Sequence, residues 1–335
     1  MTRSRSETPP PSEPDTHPRK RRGPGGKRRT LGELLPAPLQ PWYQAARPRS
    51  LPATYVPLFI GGAAALADKA FDPARFLIAL VGALLLQIAS NYINEYVDFK
   101  RGTDAQKVDG MGMVLSRGQL NADQVKAGAI ASTLGGVILG LILVLGGRPV
   151  LLLIGGIGVA VVIAYTAGPI PLAYLGLGEV AVFWCFGPLM TLGTYYAVTG
   201  QLTWTALLAG VPIAFTVAAI LHANNMRDRE ADIAAHKNTL AVRLGVRGAR
   251  VEFMVLVYGG YVTLLALALA GVSPMPALVA LFTFPEALWL VRLTTRTNRP
   301  AQLHQAQGRT ARLHFWFGLL QAVGWLVFAL ISLTR

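Results

Sequence analysis

From residue 51 onward the chain divides into nine mostly apolar stretches, near 51–67, 76–97, 127–146, 150–167, 179–198, 204–224, 252–271, 275–292 and 313–333. A helix needs about 20 such residues to cross the hydrocarbon core of a bilayer. Helices are favoured there because no water is available to satisfy a free backbone group. The pattern therefore predicts an all-α polytopic membrane protein with about nine transmembrane helices. Only 14% of residues are charged, against about a quarter in soluble domains, which excludes an ordinary soluble protein. Gly136 and Gly140 lie at the spacing that favours close helix packing. The single Cys185 excludes a disulfide framework and any Cys-ligated metal or iron–sulfur site.

The few charges are unevenly placed. Of the 31 Lys and Arg, 11 lie in residues 1–50, 5 in 98–126, 6 in 225–250 and 5 in 292–312. With nine spans these four segments share one side, and the opposite loops keep only Lys69, Arg75, Arg148 and Arg335. The excess of basic residues on cytoplasmic loops places the N-terminus and the charged loops in the cytoplasm of a cell-membrane protein. Residues 1–35 are rich in Pro, Ser, Gly and Arg, too poor in apolar residues to bury a core, and lack the apolar stretch of a cleavable signal peptide. A disordered basic cytoplasmic tail is expected over 1–40 and a membrane domain over 41–335. The run from Arg19 to Arg29 fits a solvated tail or anionic lipid headgroups rather than nucleic acid. Nothing in the sequence calls for an obligate protein partner.

The acids are more informative. The second stretch ends in NYINEYVDFKRGTD (91–104), which puts Asn91, Asn94 or Glu95, and Asp98 on one helical face, with Asp104 beyond Gly102. The sixth ends in HANNMRDREADIAAHKNT (222–239), where Asn224 or Asn225, Asp228 and Asp232 repeat the arrangement. Carboxylates at a helix C-terminus meet one another and the negative end of the helix dipole, a repulsion that a cation removes. Mg2+ prefers oxygen ligands and commonly joins a few carboxylates to substrate phosphates. Two such stripes facing one another would cage a Mg2+–diphosphate complex. Lys100, Arg101, Arg227, Arg229, Lys237 and Arg243 are close in sequence and suit either phosphate contacts or anchorage at the interface.

These motifs resemble those of the UbiA-type intramembrane aromatic prenyltransferases, most closely the branch acting on 1,4-dihydroxy-2-naphthoate in menaquinone synthesis. The resemblance runs from about residue 42 to the C-terminus. It rests on ARPRSLP (46–52), NEYVDFKRGTD (94–104), YTAGPIPLAYLGLGE (165–179) and NNMRDREADIAAHKNTLAVRLG (224–245). It implies a helix bundle around a central cavity, with the motif loops at the cytoplasmic end, and transfer of a polyprenyl group from its diphosphate to the naphthoate. The first motif carries over as Asn94, Asp98 and, in the naphthoate-type spacing, Asp104, with Glu95 where that variant has Asp. The second carries over as Asp228 and Asp232. Asn94, Asp98, Asp228 and Asp232 are thus the expected catalytic and metal-binding set, joined at the metal by Glu95 and Asp104. Lys100, Arg101, Arg227 and Lys237 are expected at the diphosphate.

Arg47 and Arg49 suit the aromatic carboxylate, a phosphate, or a topological anchor. Tyr165 and Tyr174 flank an uncharged loop and suit either the aromatic site or an interfacial belt. Glu286 is an acid inside the eighth stretch with no opposite charge three or four positions away, so its partner must lie on another helix. His222 is expected to be a hydrogen-bonded packing residue. Other acceptors compatible with the same chemistry are 4-hydroxybenzoate, homogentisate, haem and chlorophyllide. A secondary transporter would instead place its acids near mid-membrane in both halves.

Overall fold

The computed structural model describes residues 31–100, 102, 113–166 and 171–334. Arg101 and Asp104, the tail to residue 30, and Gly168 and Pro169 of the uncharged loop lie outside the described residues. All regular structure among the described residues is helical. The main helices are α1 (Pro52–Ala67), α2 (Pro73–Lys100), α3 (Ala122–Leu145), α4 (Leu151–Thr166), α5 (Gly178–Thr199), α6 (Trp204–Ala234), α7 (Leu240–Leu269), α8 (Met275–Arg296) and α9 (Pro300–Leu333).

Each of the nine apolar stretches has its helix. Seven, α2, α3 and α5 to α9, are long and apolar enough to cross a membrane individually. Helix α1 passes the same test together with Ala37–Ser50, which meets it at 56°, and α4 is an apolar helix of 16 residues. Several helices outrun their apolar stretches: α2 continues to Lys100, α6 to Ala234, and α9 begins at Pro300. Apolarity marks the part that lipid can surround, whereas the backbone ladder continues wherever residues tolerate helix. Asn94 and Asp98 on α2, and Asp228 and Asp232 on α6, therefore lie on helical ends. Helix α3 begins at a capping box, in which Gln124 N donates to Asn121 Oδ1 (2.8 Å) and Asn121 N to Gln124 Oε1 (2.9 Å).

The main apolar core joins α1, α5, α6, α7, α8 and α9 through side chains such as Val56, Tyr195, Ile213, Phe253, Leu290 and Phe317. A smaller one, around Ala45, Tyr92, Val114, Leu120 and Val125, seats the segment before α1 against α2 and α3. Large apolar side chains such as Leu145, Leu153, Val262 and Phe282 are exposed, as expected of surfaces solvated by lipid. Helix α5 widens to a π-helical turn at Cys185–Leu189, where it crosses α6 closely. A Cβ on Gly187 would lie 2.3 Å from Ala214 Cβ. Of the two spaced glycines in α3, Gly136 packs against α2, where a Cβ would meet Leu86 Cγ at 2.7 Å. Gly140 has nothing within 4 Å of that position and lines the cavity.

Candidate active site

Helices α2 and α6 each place an Asn or Asp four residues before an Asp, just over one turn, so both side chains leave one face. Asn94 and Asp98 from α2, and Asp228 and Asp232 from α6, line a single cavity of about 1330 Å3. Arg47, Arg49, Arg227, Lys237 and Tyr165 line it too. The two stripes, about 130 residues apart in the chain, thus open onto one chamber. Its deeper wall is apolar, with Leu58, Leu86, Ile154 and Phe186 among its residues.

Arg227 organises the α6 side. Its Nε and one terminal nitrogen donate to the two oxygens of Asp228 at 2.7 and 2.5 Å. The same terminal nitrogen donates to Asn224 Oδ1 (2.7 Å), and the other reaches His304 Nδ1 (3.1 Å) and Gln307 on α9. Asp232 is buried and accepts from Thr239 Oγ1 at 3.4 Å. Lys237 Nζ lies 5.1 Å from the Tyr174 ring centroid, while Asn238 N donates to Tyr174 O (3.2 Å). The loop leading to α5 is thereby seated on the loop that follows α6.

Two expected site residues are not brought to the chamber. Glu95 is 1% exposed, and its Oε2 accepts from Arg47 (3.1 Å) and Met113 N (3.0 Å), its Oε1 from Leu115 N (3.4 Å). One residue on from Asn94 is a turn of about 100°, so Glu95 faces the covering segments and not the face shared by Asn94 and Asp98. One turn earlier, Asn91 donates to Ala46 O (2.8 Å) and Ser50 Oγ (3.0 Å). Asn91 and Glu95 thus hold Arg47, whose backbone is left-handed at φ 51°, over the cavity. Lys100 is exposed, 5.8 Å from the Tyr96 ring centroid. Arg101 and Asp104 lie outside the described residues.

Other groups at the site had no signal in local spacing. The partner of Glu286 is Arg309 on α9, in a two-point ion pair at 2.6 and 2.5 Å, with the guanidinium 3.6 Å above the Trp289 ring centroid. Arg309 and Arg117 also line the cavity. Behind the α6 wall, Glu179, His222 and Glu252 place one ligand atom each within 4.8 Å of one another. His222 is fully buried and hydrogen-bonded on both ring nitrogens, which agrees with a packing role. Its nitrogen suits a softer ion than Mg2+. The oxygens of Asn94, Asp98, Asp228 and Asp232 are the hard donors that Mg2+ takes, and they share one chamber.

A polytopic bundle with two Asn/Asp pairs and several cationic side chains at the mouth of an apolar chamber defines a class of membrane protein suited to an anionic head group with an apolar tail. The chain belongs to the UbiA prenyltransferase family, whose profile matches residues 54–319. It is 30% identical to the 1,4-dihydroxy-2-naphthoate octaprenyltransferase of Bacillus subtilis (strain 168) over 301 residues, 90% of this chain and 94% of that one. It is 38% identical to the protein of the same name from Mycobacterium tuberculosis, over 71% of this chain and 78% of that one. Its fold is similar to that of a UbiA homologue from Archaeoglobus fulgidus bound to GPP and Mg2+. There the TM-score is 0.56 at 15% identity, over 88% of this chain and all of that one.

Proposed function

We propose that this protein transfers a polyprenyl group from an allylic polyprenyl diphosphate to 1,4-dihydroxy-2-naphthoate, releasing diphosphate and CO2, as a step of menaquinone biosynthesis. The observation that carries the reading is the meeting of Asn94, Asp98, Asp228 and Asp232 with Arg227 and Lys237 around one chamber. The names of its relatives supply the acceptor.

The allylic carbon–oxygen bond breaks with its electron pair going to diphosphate, the ring carbon bonds to the allylic carbon, and the carbon–carboxylate pair returns to the ring as CO2 leaves. Asn94, Asp98, Asp228 and Asp232 would hold Mg2+, which would supply Lewis-acid stabilisation of the diphosphate charge. Arg227 and Lys237 add fixed positive charge at the same mouth, where leaving-group charge develops. Arg47 and Arg49 offer cations for the naphthoate carboxylate, and Tyr165 walls the ring. The apolar chamber keeps water from the allylic cation. The basic loops orient this mouth to the cytoplasm of the cell membrane.

Purified protein in detergent, given an allylic diphosphate, Mg2+ and a panel of aromatic acceptors, is expected to yield prenylated naphthoquinol, diphosphate and CO2. Chelation abolishes turnover and Mg2+ restores it. Product with another acceptor, and none with 1,4-dihydroxy-2-naphthoate, would overturn the acceptor assignment.

A further inference from the structure

Glu179, His222 and Glu252 lie behind the chamber wall and have no part in the chemistry above, yet they set three ionisable side chains, two buried and Glu252 half-buried, in an apolar bundle. Such groups are costly unless they are paired and hydrogen-bonded. Glu179 opens α5, His222 lies in the middle of α6 and Glu252 lies on α7, so the cluster ties three helices together. His222 Nε2 is 2.8 Å from Ala249 O, which can only accept, so Nε2 carries a proton. Its Nδ1 lies 3.0 Å from Glu179 Oε1 and 3.4 Å from Glu252 Oε2. A second proton there makes the ring a cation between two carboxylates.

The consequence falls on Asn225, which lines the chamber beside Asn224. Its Nδ2 donates to Glu179 Oε1 at 2.9 Å. A carboxylate accepts and an amide nitrogen donates, so the two ends of the Asn225 amide cannot exchange. Its Oδ1 is turned away from Glu179 and has no hydrogen-bond partner among the described residues. Asn224 is held the opposite way, its Oδ1 taking Arg227 and Gln307 Nε2 (2.9 Å). The two adjacent asparagines therefore serve different sides. Asn225 belongs to the Tyr165 side, since the Tyr165 hydroxyl abuts Gly178, next to Glu179.

We propose that Asn225 is a substrate-binding residue whose Oδ1 accepts a hydrogen bond from a phenolic hydroxyl of the aromatic acceptor, and that Glu179, fixed by His222 and Glu252, is the positioning residue that sets its orientation. The inference rests on the aromatic-acceptor reading above and names the group that reads the hydroxyl. An acceptor on the chamber wall that a bound hydroxyl covers rejects an analogue lacking that hydrogen, because the covered acceptor then goes unpaired.

The test is equilibrium binding, which needs no turnover. Calorimetry on the purified protein with Mg2+ compares 4-hydroxy-2-naphthoate, whose hydroxyl is not tied up by the carboxylate, with its methyl ether, 4-methoxy-2-naphthoate. Wild type is expected to prefer the hydroxyl form by about tenfold, the scale of one such bond. Asn225→Ala, or Asn225→Leu where the smaller side chain fails to fold, removes the preference. Glu179→Gln weakens it, since a glutamine amide can either accept from Asn225 Nδ2 or donate to Asn225 Oδ1, and Glu179→Asp restores part of it. Combining Glu179→Gln with Asn225→Ala costs no more than Asn225→Ala alone.

The proposal is overturned by a wild type that binds neither ligand or shows no preference, by a preference that survives in the Asn225 variants, or by additive losses. A change in Mg2+ dependence instead of hydroxyl preference would assign Oδ1 to the cation and overturn it as well. So would one equivalent of Zn2+ retained by wild type and lost in His222→Asn, because Nδ1 would then hold a metal and not a proton. Failure of wild type to turn over 1,4-dihydroxy-2-naphthoate is a separate result, bearing on the reaction and not on the hydroxyl preference.

Discussion

At the scale of single residues, two acids three positions apart separate by the direction in which they leave α2. Asp98 opens on the chamber with Asn94, and Glu95 turns to the segment around Arg47. Asp98→Asn and Asp228→Asn should each lower turnover by about a thousandfold or more, comparable to losing a principal electrostatic contact. The amide at 228 keeps one of the two acceptors that Arg227 uses, so Asp228→Asn should lower stability by about 1 kcal/mol and still fold, as read by thermal unfolding. Activity within tenfold of wild type in either variant would remove the proposed metal cage. Glu286 and Arg309 carry a different expectation. Their pair is about a quarter exposed, between the small worth of a surface pair and the few kcal/mol lost on breaking a buried one. Glu286→Ala should therefore destabilise by about 1–2 kcal/mol, and Glu286→Ala with Arg309→Ala by less than the sum of the single changes, as read by unfolding midpoints.

At the scale of elements, the helices hold the site because their polar ends remain helical after the apolar stretch has stopped. Packing, and not composition, sets where they cross. Gly187 on α5 and Gly136 on α3 have side chains or backbone where a Cβ would stand, whereas Gly140 does not. Gly187→Ala should lower stability by about 1–3 kcal/mol, the range for overpacking a close contact, while Gly140→Ala leaves the unfolding midpoint unchanged. Equal midpoints for the two variants would mean that the π-helical turn yields without strain. The Asn/Asp stripes were legible in the sequence because a four-residue interval on a helix decides a shared face. The partners of Glu286 and Glu179 were not, since Arg309 is 23 residues from Glu286 and Asn225 is 46 from Glu179. No helical period connects such positions.

At the scale of the whole molecule, Arg47, Arg49, Arg117, Arg227, Lys237 and Arg309 from the basic segments line the cavity, so the charge proposed to orient the chain would also surround the proposed diphosphate. A topology test follows, in a Cys185→Ser background that removes the one native thiol. An impermeant maleimide added to intact cells should label Lys69→Cys, whereas Arg296→Cys should be labelled only after permeabilisation. The reverse pattern would invert the orientation and place the active-site mouth outside.

The sequence by itself determined the helical class and the nine apolar stretches, and it proposed the residues to bind a hard cation, because burial in lipid and side-chain direction on a helix are local properties. The tertiary structure decided which polar side chains meet: Glu95 with Arg47, Glu286 with Arg309, and Asn225 with Glu179. Those pairings depend on how helices and loops distant in the chain pack together. In an apolar bundle each buried polar group must find its partner wherever that packing brings one within hydrogen-bonding reach.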